Sequence, residues 1–260
     1  MRNLLVAFAL VATPALALDD PQTPLVDPMG SGQWSYHQVV LYGDPANIRF
    51  DDRVRVLAPA SAEDSLHVPV LVDASTIPDV KSITLSADYG PIPKILTFYP
   101  GEAEAKLAFR FKIDQATPIR AVVETHSGSF HVGSVEIDAA GGGCTQPAAA
   151  YADSGWEDHL GEVRGRVWPA SGRVRTIISH PMDTGLADGI PIFIIEDIAL
   201  SSTEDGRQLT HVEFFEPVNE DPALTFYFPK DTLDDELRVS GRDNNGNEID
   251  AVIRAYPATN

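Results

Sequence analysis

The 260 residues carry 43% hydrophobic and 22% charged side chains, an ordinary globular composition with room for two cores of roughly a hundred residues each. Nineteen bases against 38 acids give a net charge of −19, which makes nucleic acid and anionic lipid poor partners and favours encounters with basic proteins. A single cysteine excludes an internal disulfide, so its thiol is free, paired between molecules or derivatised.

The chain opens with Met1 and Arg2, an apolar run over 4–16 broken only by Thr13 and Pro14, and the small-residue ending Ala15-Leu16-Ala17. This pattern predicts a signal peptide, residues 1–17, cut after Ala17. A membrane anchor needs about twenty apolar residues, and Asp19 and Asp20 arrive too soon. Export to the periplasm is the expectation, with no membrane insertion after cleavage. Removing residues 1–17 takes away only Arg2 among charged residues, so the mature chain, with 18 bases against 38 acids, is one charge more negative than the whole. Such acidity also serves simply to keep a secreted protein soluble.

A Pro-rich leader follows over 18–32, and from residue 33 short alternating runs recur at the spacing of sandwich strands. Leu107, Phe109, Phe111 and Ile113 alternate with Ala108, Arg110 and Lys112, which predicts a half-buried strand. The runs 54–57, 68–72, 83–87, 119–124 and 130–137 read similarly. Gly90-Pro91-Ile92-Pro93 and Tyr99-Pro100-Gly101 break them, and no helical period intervenes.

The second half repeats the style over 163–168, 174–179, 192–195, 209–215, 224–228, 237–240 and 249–255. Asn245-Gly246 between the last two runs predicts a tight hairpin. Asp243 and Asn245 resemble the start of a calcium loop, but the acidic residue expected about twelve positions on is replaced by Arg254. The predicted class is therefore all-β: two immunoglobulin-like β-sandwich domains in tandem, over 33–138 and 159–260, joined by a Gly-rich cysteine-bearing linker over 139–158.

That linker contains Gly141, Gly142, Gly143 and Cys144, with no large apolar side chain between Asp138 and Ala150. Such a segment is expected to be flexible and its thiol exposed. The arm from Ile137 to Cys144 would span roughly 15 Å on average and about 23 Å at full stretch, enough to present the thiol inside a partner's cleft. No base or cation lies nearby in sequence, since Asp138 and Asp153 are the nearest charges. At an unperturbed pKa near 8.5, about a tenth or less of the thiol is ionised near pH 7.5. Cys144 thus reads as a handle activated by other proteins. His131 could approach it in the fold, although a lone strand histidine is ordinarily a partly exposed side chain.

Motifs for independent catalysis are missing: there is no G-x-S-x-G, G-x-x-x-x-G-K, H-E-x-x-H or C-x-x-C. No cofactor and no metal is expected. His180-Pro181-Met182-Asp183-Thr184-Gly185 is the densest polar cluster, and it reads as a turn rather than a ligand set.

Two groups of residues carry a family resemblance. Leu57-Ala58-Pro59, Ala62-Glu63-Asp64, Val68-Pro69-Val70, the segment 88–93 and the Gly-Gly-Cys make the first half similar to the sulfur-carrier subunit Y of the bacterial thiosulfate-oxidising (Sox) system. Gly165 and the run from His180 to Gly185 make the second half similar to its partner subunit Z. The one-chain arrangement resembles the fused SoxYZ-like carriers associated with quinoprotein (PQQ) alcohol dehydrogenases. The resemblance implies paired immunoglobulin-like sandwiches, a covalent sulfur adduct on Cys144 with Gly141, Gly142 and Gly143 as its swivel, and oxidation of that cargo by separate enzymes. In the family the arm is a free C-terminus, whereas here Thr145-Gln146-Pro147 and a whole domain follow, so this arm enters a partner's channel only as a loop. The expected partners are periplasmic sulfur-oxidation enzymes or cytochromes. A different class of reading makes the chain a non-catalytic binding or maturation partner of a periplasmic quinoprotein dehydrogenase. A third makes Cys144 the link of a covalent homodimer.

Overall fold

A computed structural model describes residues 26–152 and 155–255. The expected signal peptide, and the leader as far as residue 25, lie outside these residues. After the leader, where the first sandwich was expected to begin, stands a short helix, α1 (Trp34–Tyr42), closed by Gly43 in the left-handed conformation. The sequence reading missed this helix. Only Trp34 and His37 of its nine residues are buried, too short a stripe to register as a helical period.

The first half then forms β1 (Ile48–Phe50), β2 (Arg55–Leu57), β3 (Val68–Asp73), β4 (Val80–Ala87), β5 (Lys94–Tyr99), β6 (Lys106–Phe111), β7 (Thr117–Thr125) and β8 (Phe130–Ile137). The second forms β9 (Val163–Trp168), β10 (Arg173–Ile178), β11 (Asp183–Thr184), β12 (Ile192–Phe193), β13 (Ile195–Ser202), β14 (Gln208–Phe214), β15 (Ala223–Tyr227), β16 (Glu236–Asp243) and β17 (Glu248–Arg254). The run expected over 192–195 is in fact split. Ile192 and Phe193 pair with β11, while Ile195 opens a strand of a main sheet. The Asn245-Gly246 hairpin forms as expected, with Gly246 at φ +87.

Both main sheets run through both halves. The larger has the order β1-β8-β7-β4-β5-β14-β13-β16-β17, the smaller β2-β3-β6-β15-β10-β9. The halves join by antiparallel pairing of β5 with β14, from Tyr99 opposite His211 to Leu96 opposite Phe214, and of β6 with β15, at Ala108–Thr225 and Leu107–Phe226. Inward-facing side chains of both halves fill one core, in which Phe98 and Phe226 pack with ring centroids 6.1 Å apart. The two sandwiches are thus joined edge to edge along both layers.

A second, small core holds α1 on the outer face of the large sheet, with Trp34 against Ile48, Val122 and Val132. Arg120 of β7 is fully buried beneath it and donates to Asp88 and to Asp27 of the leader. Being covered on both faces, β7 loses the alternation of a half-buried strand.

Candidate functional site

Strand β6 ends at Phe111, and the chain then turns inward, so Lys112 and Ile113 are both buried. The alternation expected through residue 113, with Lys112 facing water, stops at that point. The chain leaving β8, the last strand of the first half, bridges Ser61 at Asp138, and the glycine arm folds back against the end of β6. The Gly142 and Gly143 N–H groups donate to the carbonyls of Asp114 (3.2 Å) and Ile113 (3.0 Å).

A Cβ on Gly143 would stand 2.2 Å from the Ser65 carbonyl oxygen and 2.6 Å from that of Ile113. Gly141 (φ +96) and Gly142 (φ +83) both adopt left-handed backbone. Gly141, whose Cβ would stand 2.3 Å from the Asp114 carbonyl oxygen, and Gly143 therefore permit close approach to neighbouring backbone, Gly142 supplies only its left-handed conformation, and the segment is docked in this structure.

Docking buries Cys144, which is 3% exposed. This corrects the expectation of an exposed thiol. Packing is supplied by other parts of the chain, chiefly the Gly90-Pro91-Ile92 turn, Ile95, Phe111 and Pro217, which line a cavity of about 10 Å³ at the sulfur. Sγ lies 3.8 Å from the Lys112 carbonyl oxygen. Burial, with a smaller contribution from Asp114, pushes the thiol up to about 11. It is neutral and unreactive where it sits.

The second half closes the site. The turn His180-Pro181-Met182-Asp183-Thr184-Gly185, read from sequence as a structural turn, lies against the arm. The Thr184 hydroxyl donates to the Cys144 carbonyl oxygen at 2.5 Å. Asp183 accepts from the Ala148 N–H (3.1 Å) and from the Tyr151 hydroxyl. Glu220 accepts from the Ala149 and Ala150 N–H groups, 2.7 Å each. Lys112 reaches across from the first half to donate to the Met182 carbonyl at 2.6 Å, and burial lowers its pKa.

His180 orders this turn. Its Nδ1 accepts the Met182 N–H at 3.0 Å, which leaves the hydrogen on Nε2, 3.5 Å from Asp243. Burial drives its pKa down to about 4, so the ring is neutral near pH 7. Asp243 in turn accepts the Asn245 and Asn247 N–H groups of the β16–β17 hairpin, which is the tight hairpin expected there. His131, the other histidine considered, bonds Asp51 at 2.8 Å and takes no part in the site. No cluster of three or more metal-ligating side chains occurs among the described residues.

Cys144 and the turn from His180 to Gly185 thus meet, though each drew attention in the sequence separately. Lys112, Tyr151 and Glu220 escaped notice. Lys112 was misread by extending an alternating strand by one residue too many, and the other two carry no local signal.

The sequence model of the sulfur oxidation protein SoxY matches residues 39–144, and that of the sulphur oxidation protein SoxZ matches residues 170–253. The chain belongs to the SoxY and SoxZ families, fused in one polypeptide. Among solved structures it is similar to the sulfur carrier protein SoxY from Chlorobium limicola f thiosulfatophilum, at 20% identity over 40% of this chain and 96% of that one, TM-score 0.36. It is also similar to the superoxide reductase (neelaredoxin) from Ignicoccus hospitalis, at 18% identity over 33% of this chain and 78% of that one, TM-score 0.29. No curated protein matches it. SoxY and SoxZ proteins are carriers rather than catalysts, and the role of this SoxYZ chain is that of a carrier in sulfur oxidation. The SoxY match ends at Cys144 itself.

Proposed function

We propose that this SoxYZ chain is exported to the periplasm and holds an intermediate of thiosulfate-type sulfur oxidation as a covalent adduct on Cys144. The observation that carries this reading is that the chain's single cysteine is the last residue of its SoxY segment.

Loading joins the Cys144 sulfur to the outer sulfur of thiosulfate. The thiol loses its proton and the pair loses two electrons, which pass to a cytochrome-type partner. The docked arm is the resting form of this cycle. Its cavity of about 10 Å³ holds roughly one water, far less than a sulfonate group needs, and its thiol is neutral. Release of residues 141–150 frees the sulfur and returns its pKa toward 8.5, so undocking both exposes and activates the nucleophile. The arm stays attached at both ends and reaches a partner as a loop.

Burial of the thiol favours a second reading, in which Cys144 is simply a core residue and the protein is a binding partner of a periplasmic quinoprotein dehydrogenase. Intact mass of the mature protein from its native periplasm, before and after reduction, decides between them. A reducible increment on Cys144, absent from Cys144→Ser, is the expected result. An unmodified thiol while the pathway runs would sink the carrier reading.

A further inference from the structure

The outer face of the small sheet bears a cationic strip that the fold does not require. Arg164 and Arg166 of β9 and Arg173 and Arg175 of β10 all point away from the core and are exposed. Register places Arg175 directly opposite Arg166, and Arg173 opposite Trp168. Like charges directly opposite on neighbouring strands destabilise a sheet. Trp168 separates two of them, with the Arg173 guanidinium 4.1 Å and that of Arg166 5.8 Å from its ring centroid.

Seven arginines elsewhere in this acidic protein are matched. Arg53, Arg55, Arg120, Arg207, Arg238, Arg242 and Arg254 each meet a carboxylate. Among the described residues, Arg164, Arg173 and Arg175 do not. In a chain with 38 acids against 19 bases, three arginines left together without a carboxylate are a local reversal of the overall field.

The strip borders a shallow groove of about 620 Å³ that continues to Tyr227 and Thr225 of β15. Beside it, a second groove of about 450 Å³ is lined by Leu57, Pro69, Leu71, Ala108 and Ala223. Arginine, tryptophan and tyrosine next to an apolar strip is the make-up of a protein-binding hot spot. The groove also approaches the arm, because Arg110 on its border stands two residues before Lys112, whose carbonyl faces the Cys144 thiol.

We propose that this face of β9, β10, β15 and β6 docks a partner protein through an acidic patch on that partner. Charge complementarity selects the sign. The limited extent of the strip selects a protein over a long polyanion, which would run off it onto an acidic surface and be repelled there. The proposal does not depend on what Cys144 carries.

Full-length mature protein, wild type and Cys144→Ser, is titrated with a short poly-glutamate peptide as the probe, with heparin as comparison, at rising salt. Both proteins should bind the peptide equally, with affinity falling as salt rises. Arg173→Glu/Arg175→Glu should weaken binding at least about tenfold, Arg173→Gln/Arg175→Gln by less, and the same charge change at Arg238 and Arg254 not at all. Equal thermal unfolding of the variants establishes that they fold. No binding of the peptide, or binding indifferent to Arg173 and Arg175, overturns the proposal. Tighter, arginine-dependent capture of heparin overturns it in favour of a glycan, and an arginine-dependent dimer in sedimentation overturns it in favour of a second copy of this chain.

Discussion

The hydroxyl of Thr184, in the second half of the chain, donates to the carbonyl oxygen of Cys144, in the first, at 2.5 Å. Through this bond the SoxZ segment grips Cys144, the last residue of the SoxY segment, by its own peptide group. In Thr184→Val that buried carbonyl loses its partner, a loss of about 1–3 kcal/mol to the docked state. Labelling of Cys144 by a thiol reagent should quicken about tenfold or more, with Thr184→Ser close to wild type. Equal labelling of all three proteins would mean that Thr184 does not hold the arm.

The pH dependence of that labelling follows from the thiol's surroundings. The docked thiol sits at about 11 and the released one near 8.5. A thiol with a raised docked pKa stabilises docking below the released value and loses that contribution as pH rises through the window between the two. Docking therefore weakens about tenfold per pH unit from about 8.5 to about 11. The labelling rate of the native protein should keep climbing past pH 8.5, where that of a peptide spanning 138–150 levels off. A native profile that levels with the peptide would show an arm already released.

Gly143 tests whether the glycines serve close approach. Gly143→Ala places a methyl group 2.2 Å from the Ser65 carbonyl oxygen, and backbone atoms cannot yield as a side-chain tip does. The arm should undock and Cys144 should label at nearly the rate of the free peptide, while the melting temperature moves little because the arm lies outside the main core. At Gly142 an added Cβ meets only the Gln146 amide at 3.9 Å, so Gly142→Ala should cost about 1–2 kcal/mol for its left-handed backbone alone and label at an intermediate rate. An unchanged rate in Gly143→Ala would contradict the docked arrangement.

What the sequence shows of this fold follows how each strand is solvated. Strands with one wet face, such as β6 with Leu107, Phe109 and Phe111 inward, announce themselves by alternation. The junction strand β5 does not: Ile95, Leu96, Thr97 and Phe98 are all buried, and prolines at 93 and 100 disguise the run as loop. Its pairing with β14 has no local signature, so the merger of two sandwiches into shared sheets is invisible before folding. The site was half legible. Cys144 and the turn from His180 to Gly185 stand out by composition, but their meeting, and the burial that silences the thiol, depend on residues 30 to 76 positions from Cys144, such as Gly90, Ile95 and Pro217. Local composition predicts a free arm because it cannot include those contacts.

His180 makes the turn sensitive to acid. Its pKa is about 4 in the folded protein and near 6.5 unfolded, so the unfolded chain binds the extra proton between those values. Its contribution is fully present above pH 6.5 and is lost as pH falls toward 4, on the order of 3 kcal/mol in all. His180→Asn keeps an oxygen to accept the Met182 N–H but cannot titrate. Denaturant unfolding across this window should show wild type losing stability more steeply than His180→Asn. Parallel slopes would mean that the ring is not held neutral by burial.

The shared sheets make one cooperative unit of what are two families by sequence. Phe226 of β15 is fully buried, pairs in register with Leu107 of β6 and packs on Phe98 of β5, so it belongs to the cores of both halves at once. Two domains linked only by a tether would melt separately, and a mutation in one would leave the other's transition in place. Here calorimetry of the mature protein should show a single transition whose calorimetric and van't Hoff enthalpies agree. Phe226→Ala, removing a ring from close-packed surroundings, should destabilise that one transition by about 3–5 kcal/mol without splitting it. Two resolved transitions, with only the later half's shifted by Phe226→Ala, would show that the β5–β14 and β6–β15 pairings contribute little and that the halves fold alone.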